Sequence, residues 1–468
     1  MKRVLLNPSA HLLMVLITSI IAISPVYWID GLSSWKPSRA IGSLTFLKPK
    51  SSAVEVVDSS TIQTPESIQK LEERRSSRQP ESEKPAAVPA AASEKSTPGI
   101  VGIEGEEHLK HFFQALKQSA QSPVRVVQYG DSTLAADNIT RTIRSRIQAK
   151  FGDAGPGFFV AGMDPRWMKR DDVRVARTGD WDVSTILFGG NQGRYGLGGI
   201  VAKSKQPNTI NVTGPKPGGS IGQRVELYTQ IPKRDEPIKF EVNGTTPLIA
   251  KRDDKNTFTH WVVDSPEPIK SLKISVLEPN LEVYGAVVEN SKGVTWETTA
   301  VVGVSSISFK QFTPAHLAEQ TATRRPDLIV LMIGGNETGH GGLYSPGGKV
   351  YKESFVGALR TIRQGSPKSA CLVMSPLDQG EQNDDGNVSS KKSVSRMVQL
   401  QKEVALEEGC AFWNSWKFMG GEGSFVRWLN QGLAWTDLAH FTAPGLQRIG
   451  NGFADALLNS YKKFEEGN

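Results

Sequence analysis

Apolar and polar positions follow two different rhythms along this chain. Val124-Arg-Val-Val-Gln128 is a short β-branched run that predicts a strand. Ile139, Ile143, Ile147 and Phe151 then recur at helical spacing on one face, with Asp137 placed to cap that helix. From about Asp172 to Tyr284 the rhythm becomes one of short alternating runs: Thr209–Val212, Val225–Tyr228, Ile238–Val242, Trp261–Val263 and Leu272–Val276. Turn clusters such as Pro215–Gly219 and Asn243-Gly244 separate them, a spacing that predicts a β-sandwich. Leu328–Ile333 is a continuous apolar run, as expected of a strand buried on both faces. A helix around Ser354–Arg363, a strand Cys371–Met374, a helix Ser390–Leu406 and a strand Cys410–Trp413 follow. Thr442, Ala443 and Pro444 open a last helix carrying Leu446, Ile449, Phe453, Leu457 and Tyr461. Strand–helix alternation of this kind predicts an α/β domain with a parallel sheet, here split by a β-rich insertion.

The chain before residue 101 has neither rhythm. Lys2 and Arg3 precede an apolar run, Leu12–Ser24, that continues through Val26, Tyr27, Trp28 and Ile29. That pattern reads as an export signal, and its length together with Tyr27 and Trp28 favours an uncleaved membrane anchor over a cleaved signal peptide. Residues 48–99 mix charge, Pro, Ala and Ser without periodicity and read as a solvated tether. The expected boundaries are an anchor or signal at 1–30, a tether at 31–100, a first part of the α/β domain at 101–171, a β-sandwich at 172–290 and its second part at 291–468. The protein is thus expected to be exported, in the periplasm or cell envelope, and held to the inner membrane by its N-terminal segment.

Composition narrows the chemistry. Two cysteines in 468 residues exclude a disulfide-dense scaffold and a multi-cysteine zinc site. Cys371 and Cys410 begin strands joined by one helical crossover, and the reading favours two buried thiols over a bridge because bridge geometry is demanding. A formal charge of +7 is modest for this length, and with no nucleic-acid-binding signature present, nucleic acid is set aside as a partner. His260, His316 and His340 show no metal-ligand spacing, so neither a metal nor a cofactor is expected. His340 reads as a loop histidine, and the basic positions Arg141, Arg144, Arg146 and Lys150 as a solvated helix face.

Three short blocks carry reactive side chains. Gly130-Asp131-Ser132 follows the first strand, Gly334-Gly335-Asn336-Glu337 follows the buried strand ending at Ile333, and Asp437-Leu438-Ala439-His440 precedes the last helix. In a parallel α/β sheet, ligands bind beyond the carboxyl ends of the strands, where the first two blocks lie. A serine hydroxyl needs an oriented imidazole to accept its proton, and Asp437 with His440 supplies both parts from one turn. Asn336 offers an amide donor for a tetrahedral oxyanion. Gly218-Gly-Ser-Ile-Gly222 also fits a nucleophile elbow, but it lacks the strand–helix context and reads as a hairpin turn.

These blocks together resemble the SGNH (GDSL-type) hydrolase superfamily. The resemblance implies a flavodoxin-like three-layer α/β fold with Ser132 as nucleophile, His440 as base and Asp437 as its partner. It further implies an oxyanion hole from the backbone amides of Ser132 and Gly303 and the side chain of Asn336, Gly303 being the glycine after the second core strand. Tyr129-Gly-Asp-Ser132, Asp137, Arg144, Phe151-Gly-Asp-Ala-Gly155, Gly157-Phe158 and Tyr195-Gly-Leu-Gly-Gly199 are similar to the peptidoglycan O-acetylesterase branch, which carries a carbohydrate-binding-module-like β-sandwich insert. Gly335 departs from it, standing where that branch more usually has threonine. The expectation is a serine esterase acting on an acetylated cell-wall polysaccharide, with O-acetylated peptidoglycan foremost. The alternatives are a polysaccharide O-acetyltransferase using the same triad, or a non-catalytic glycan-binding protein.

Overall fold

The computed structural model describes residues 101–162, 168–245, 247–384 and 386–467, all within one compact unit. The expected anchor and tether lie outside the described residues. A six-stranded sheet forms the centre: β1 (Ile103–Glu104), β2 (Pro123–Gly130), β3 (Gly293–Ala300), β4 (Leu328–Met332), β5 (Ala370–Met374) and β6 (Ala411–Trp413). Its spatial order is β1-β6-β5-β4-β2-β3. The five strands after β1 are parallel and run in the flavodoxin-like order, while β1 adds an antiparallel edge. Helix α1 (Asn138–Phe151) packs with α5 (Ala443–Glu465), and α2 (Pro314–Arg324), α3 (Lys349–Arg363) and α4 (Lys392–Glu407) pack in a second row. The fold is a three-layer α/β sandwich with an added sheet-rich region.

Register sets the site. Gly130 of β2 stands opposite Ala300 of β3 and Met332 of β4, so three strands end level with one another. The strand order reverses beside β2, opening the crevice where such sheets bind ligands.

Between α1 and β3 lie two antiparallel sheets. One has seven strands, the other four, and Ile210, Val212, Phe240 and Ile274 of the smaller share an apolar core with Val225, Leu227, Val263 and Val288 of the larger. Pairing in the larger sheet begins at Gly157, where Gly157–Phe159 joins Ala286–Val288, ahead of the expected boundary at 172. The other face of the larger sheet packs on the catalytic domain, with the His316 ring of α2 4.7 Å from Tyr284 and 6.4 Å from Phe258. A buried ion cluster lies in the same contact. Arg324 of α2 bonds Glu289 of the insert at 2.8 Å and Glu297 of β3, and Arg125 of β2 bonds Glu289 at 2.6 Å.

Four expectations are corrected. Asp137 stands at the N-terminus of α1 in a left-handed conformation and makes no side-chain cap; its carboxylate takes Arg144, the Thr298 hydroxyl at 3.0 Å and the Asp171 amide at 2.9 Å. Arg144 is therefore buried in an ion pair rather than solvated, whereas Arg141 and Arg146 stay partly exposed. Gly218–Gly222 is no hairpin: the strand before it, Asn208–Thr213, belongs to the small sheet and the strand it enters, Gly222–Thr229, to the large one. Cys371 and Cys410 are bridged, with Cα atoms 4.5 Å apart. Leu372 pairs with Ala411, so the two cysteines fall in register at the start of adjacent parallel strands and within bridging reach.

Candidate active site

Ser132 opens a one-turn helix, Ser132–Ala135, directly after β2. Asp131 starts that turn, its carboxylate accepting the Thr133 amide at 2.9 Å. Gly130 is closely packed, since a Cβ there would lie 2.4 Å from Leu134 Cδ1 and 3.0 Å from the Met332 carbonyl oxygen. Asp437 folds its own turn in the same way. One carboxylate oxygen accepts the amides of Ala439 and His440, both at 2.9 Å, and the other meets His440 Nδ1 at 2.8 Å. Between them Leu438 sits at φ 64°, a strained conformation for a branched side chain that the surrounding hydrogen bonds enforce. The opposite ring nitrogen, His440 Nε2, lies 3.2 Å from Ser132 Oγ. Serine, imidazole and carboxylate therefore stand in one line.

The electrostatics fit that line. Burial pushes the Asp437 carboxyl up, but hydrogen bonds from His440 and the turn amides outweigh it and hold the group below its ordinary value. The Asp437 hydrogen bond raises His440 above its ordinary value against the effect of burial. An ionised Asp437 accepts from Nδ1–H, which leaves Nε2 as the acceptor facing the serine hydroxyl.

Asn336 and Gly303 are tied to the same turn. Gly130 O accepts the Val301 amide at 3.0 Å, fixing the loop that carries Gly303 at φ 85°. Asn336 Nδ2 donates to Val304 O at 2.9 Å, joining the loops after β3 and β4. The structure thus gathers all five expected residues on loops that are hydrogen-bonded to one another. His340 Nδ1 accepts the Gly342 amide at 3.0 Å, within its own turn.

Sequence reasoning missed two contributors. Glu337 is buried, with its carboxyl pushed up by burial, and accepts from the Ser306 amide at 3.0 Å, so it pins the loop after β3 to the turn after β4. Its adjacency to Asn336 was the available signal. The second is the insert segment 186–199: a Cβ on Gly303 would stand 3.1 Å from Leu187 Cδ2. No sequence signal links those positions.

A flavodoxin-like sheet with Ser–His–Asp at its carboxyl edge defines a hydrolase of the SGNH kind. Residues 275–448 match the model of the GDSL-like lipase/acylhydrolase family, so the chain carries a GDSL-like acylhydrolase domain and is a hydrolase. That match includes Asn336, Asp437 and His440, while Ser132 lies upstream of it, across the insert. No curated protein matches the chain. Among solved structures, a peptidoglycan O-acetylesterase superposes with a TM-score of 0.63 at 24% identity, covering 76% of this chain and 96% of its own. The acetyl xylan esterase AlAXEase is 15% identical with a TM-score of 0.27, covering 35% of this chain and 81% of its own. A family two carbohydrate esterase from Cellvibrio japonicus is 10% identical with a TM-score of 0.27, covering 62% and 98%.

Proposed function

We propose that this acylhydrolase is a serine esterase that removes O-acetyl groups from a cell-wall polysaccharide, foremost O-acetylated peptidoglycan. The carrying observation is the Ser132–His440–Asp437 line, with Ser132 Oγ 3.2 Å from Nε2 and Nδ1 2.8 Å from the carboxylate. His440 accepts the hydroxyl proton as Ser132 Oγ adds to the acetyl carbonyl carbon. The resulting oxyanion is received by the amides of Ser132 and Gly303 and by the Asn336 N–H that Val304 does not use. His440 then returns the proton to the departing sugar oxygen, leaving an acetyl-enzyme. Water adds to it, gives its proton to His440, and acetate leaves as Ser132 is reprotonated.

The exposure of the site supports a large alcohol as the leaving group. His440 is 52% exposed, so the site opens on the surface where a polymer can reach it. The structural likeness to a peptidoglycan O-acetylesterase supports the choice of polymer. The Cys371–Cys410 bridge supports export to an oxidising compartment, with the N-terminal segment as membrane anchor.

Acetate release by the full chain from O-acetylated peptidoglycan, compared with acetylated xylan, tests this reading. Release from peptidoglycan that Ser132→Ala abolishes is the expected result. Activity on p-nitrophenyl acetate with none on either polymer would overturn the substrate assignment.

A further inference from the structure

The resemblance implies a carbohydrate-binding-module-like insert, but the aromatic residues of this one point elsewhere. Sugar rings are held by exposed aromatic faces. Of the ten described aromatic residues between 157 and 289, nine are buried: Phe158, Phe159, Trp181, Tyr195, Tyr228, Phe240, Phe258, Trp261 and Tyr284. The tenth, Phe188, is 83% exposed. It follows Leu187, the residue that lies against Gly303 of the expected oxyanion hole.

The segment bearing Phe188 is built into the catalytic domain. Thr313 donates its amide to Gly193 O at 2.9 Å and its hydroxyl to Gln192 O at 3.0 Å, and Gln320 Nε2 donates to Tyr195 O at 2.9 Å. Other exposed apolar side chains stand on the neighbouring catalytic loops. Val302 precedes Gly303, Tyr344 lies on the turns that follow Asn336, and Trp435 donates its amide to His440 O at 2.9 Å. A monomer that scatters exposed apolar groups needs no explanation, but their collection around one site marks a binding surface.

We propose that Phe188 is a specificity-determining residue: the insert reaches the substrate through this side chain, which stacks on a sugar ring of the polymer beside the acetylated residue. Trp435, beside the catalytic histidine, provides a second apolar face. The proposal rests on the acetylated-polysaccharide reading above. It makes the insert a wall of the active site instead of a separate glycan-binding module. Contacts to parts of the substrate that do not react raise turnover on the polymer and give nothing to a small ester.

The experiment measures kcat/KM of the full chain on O-acetylated peptidoglycan, on acetylated xylan and on p-nitrophenyl acetate. Phe188→Ala should lower the polymer-to-small-ester ratio by about 10-fold, equivalent to roughly 1.4 kcal/mol. Phe188→Trp should retain the ratio. Ile249→Ala, on the same insert and 97% exposed, should leave it unchanged. An unchanged ratio in Phe188→Ala, or an equal fall in Ile249→Ala, overturns the proposal while the esterase reading stands. A wild-type chain that cleaves the small ester and neither polymer overturns both.

Discussion

Replacing Arg324 by methionine asks what the buried charges between insert and catalytic sheet are worth. The Arg324 side chain is 1% exposed, and it joins Glu289 of the insert to Glu297 of β3. Its loss is uneven. Glu289 keeps Arg125 at 2.6 Å, whereas Glu297 keeps the Thr295 hydroxyl at 3.0 Å and loses its guanidinium. Removing one partner of a buried pair costs about 3–5 kcal/mol because the other charge stays desolvated. With one carboxylate stranded instead of two, the lower end applies, about 3 kcal/mol.

The pH dependence has a definite sign. Burial pushes the Glu289 carboxyl up, but Arg324 and Arg125 pull it down further, below its ordinary 4.5. The stabilisation is therefore complete above pH 4.5 and is lost as pH falls through the depressed native value. In Arg324→Met Glu289 keeps only the part of that stabilisation that Arg125 supplies, so the deficit is largest at neutral pH and shrinks toward pH 4. Urea unfolding of wild type and variant at pH 7 and pH 4 measures both. Adding Glu297→Gln should recover most of the loss at pH 7, since the charge itself is the burden. A single variant that costs under 1 kcal/mol, or a double variant less stable than the single, would refute the reasoning.

Ser132→Ala and His440→Ala should each abolish nearly all ester hydrolysis, and the double variant should be little worse than either, because the two act as a unit. Asn336→Ala should cost about 10²–10³ in turnover as a lost oxyanion donor, with Ser220→Ala as the control that keeps activity. In the wild type, the acid limb of kcat/KM should lie above the ordinary histidine value of 6.5, since Asp437 raises His440 and only neutral imidazole accepts the proton; Asp437→Asn should move that limb to lower pH and cut turnover about 10⁴-fold. Alkylation of the unfolded, unreduced chain should modify neither cysteine, and replacing both with alanine should cost about 2–4 kcal/mol for a loop of this length, the bridge closing a separation of 39 residues.

The catalytic line was legible because each of its members sits immediately beyond a strongly patterned element. Ser132 follows a β-branched run, Asn336 an unbroken apolar run, and His440 precedes a helix with an apolar stripe. Strand β3 was not legible, although its level end places Gly303. Gly293-Val-Thr-Trp-Glu-Thr-Thr-Ala300 reads as half polar, yet every residue in it is buried. Thr298 is satisfied by Asp137, and Glu297 by Arg324 from a helix that carries no clear stripe of its own. Buried polar residues with distant partners break the alternation on which pattern reading depends. Asp137 and Arg144 misled for the same reason. Phe188 was beyond reach because its meaning depends on a segment folding back onto a loop more than a hundred residues away.

How a catalytic domain survives an interruption of this size is answered where the chain leaves and returns. The exit after α1 and the return at β3 are bonded to each other: Val294 donates its amide to Gly152 O at 2.9 Å, Ala154 to Val294 O at 3.2 Å and Asn290 to Ala154 O at 2.8 Å. The Gly293 amide then bonds Ser119 O at 2.7 Å, just before β3 enters the sheet beside β2. The ends of the insert are thus held together by the catalytic sheet, and the entropy of closing a loop grows only with the logarithm of its length. Inserting many residues there costs the sheet little more than inserting a few. That tolerance accounts for a serine and a histidine 308 positions apart meeting at 3.2 Å. It leaves the insert free to take the role proposed for Phe188, since Leu187 beside it already lies against the Gly303 loop.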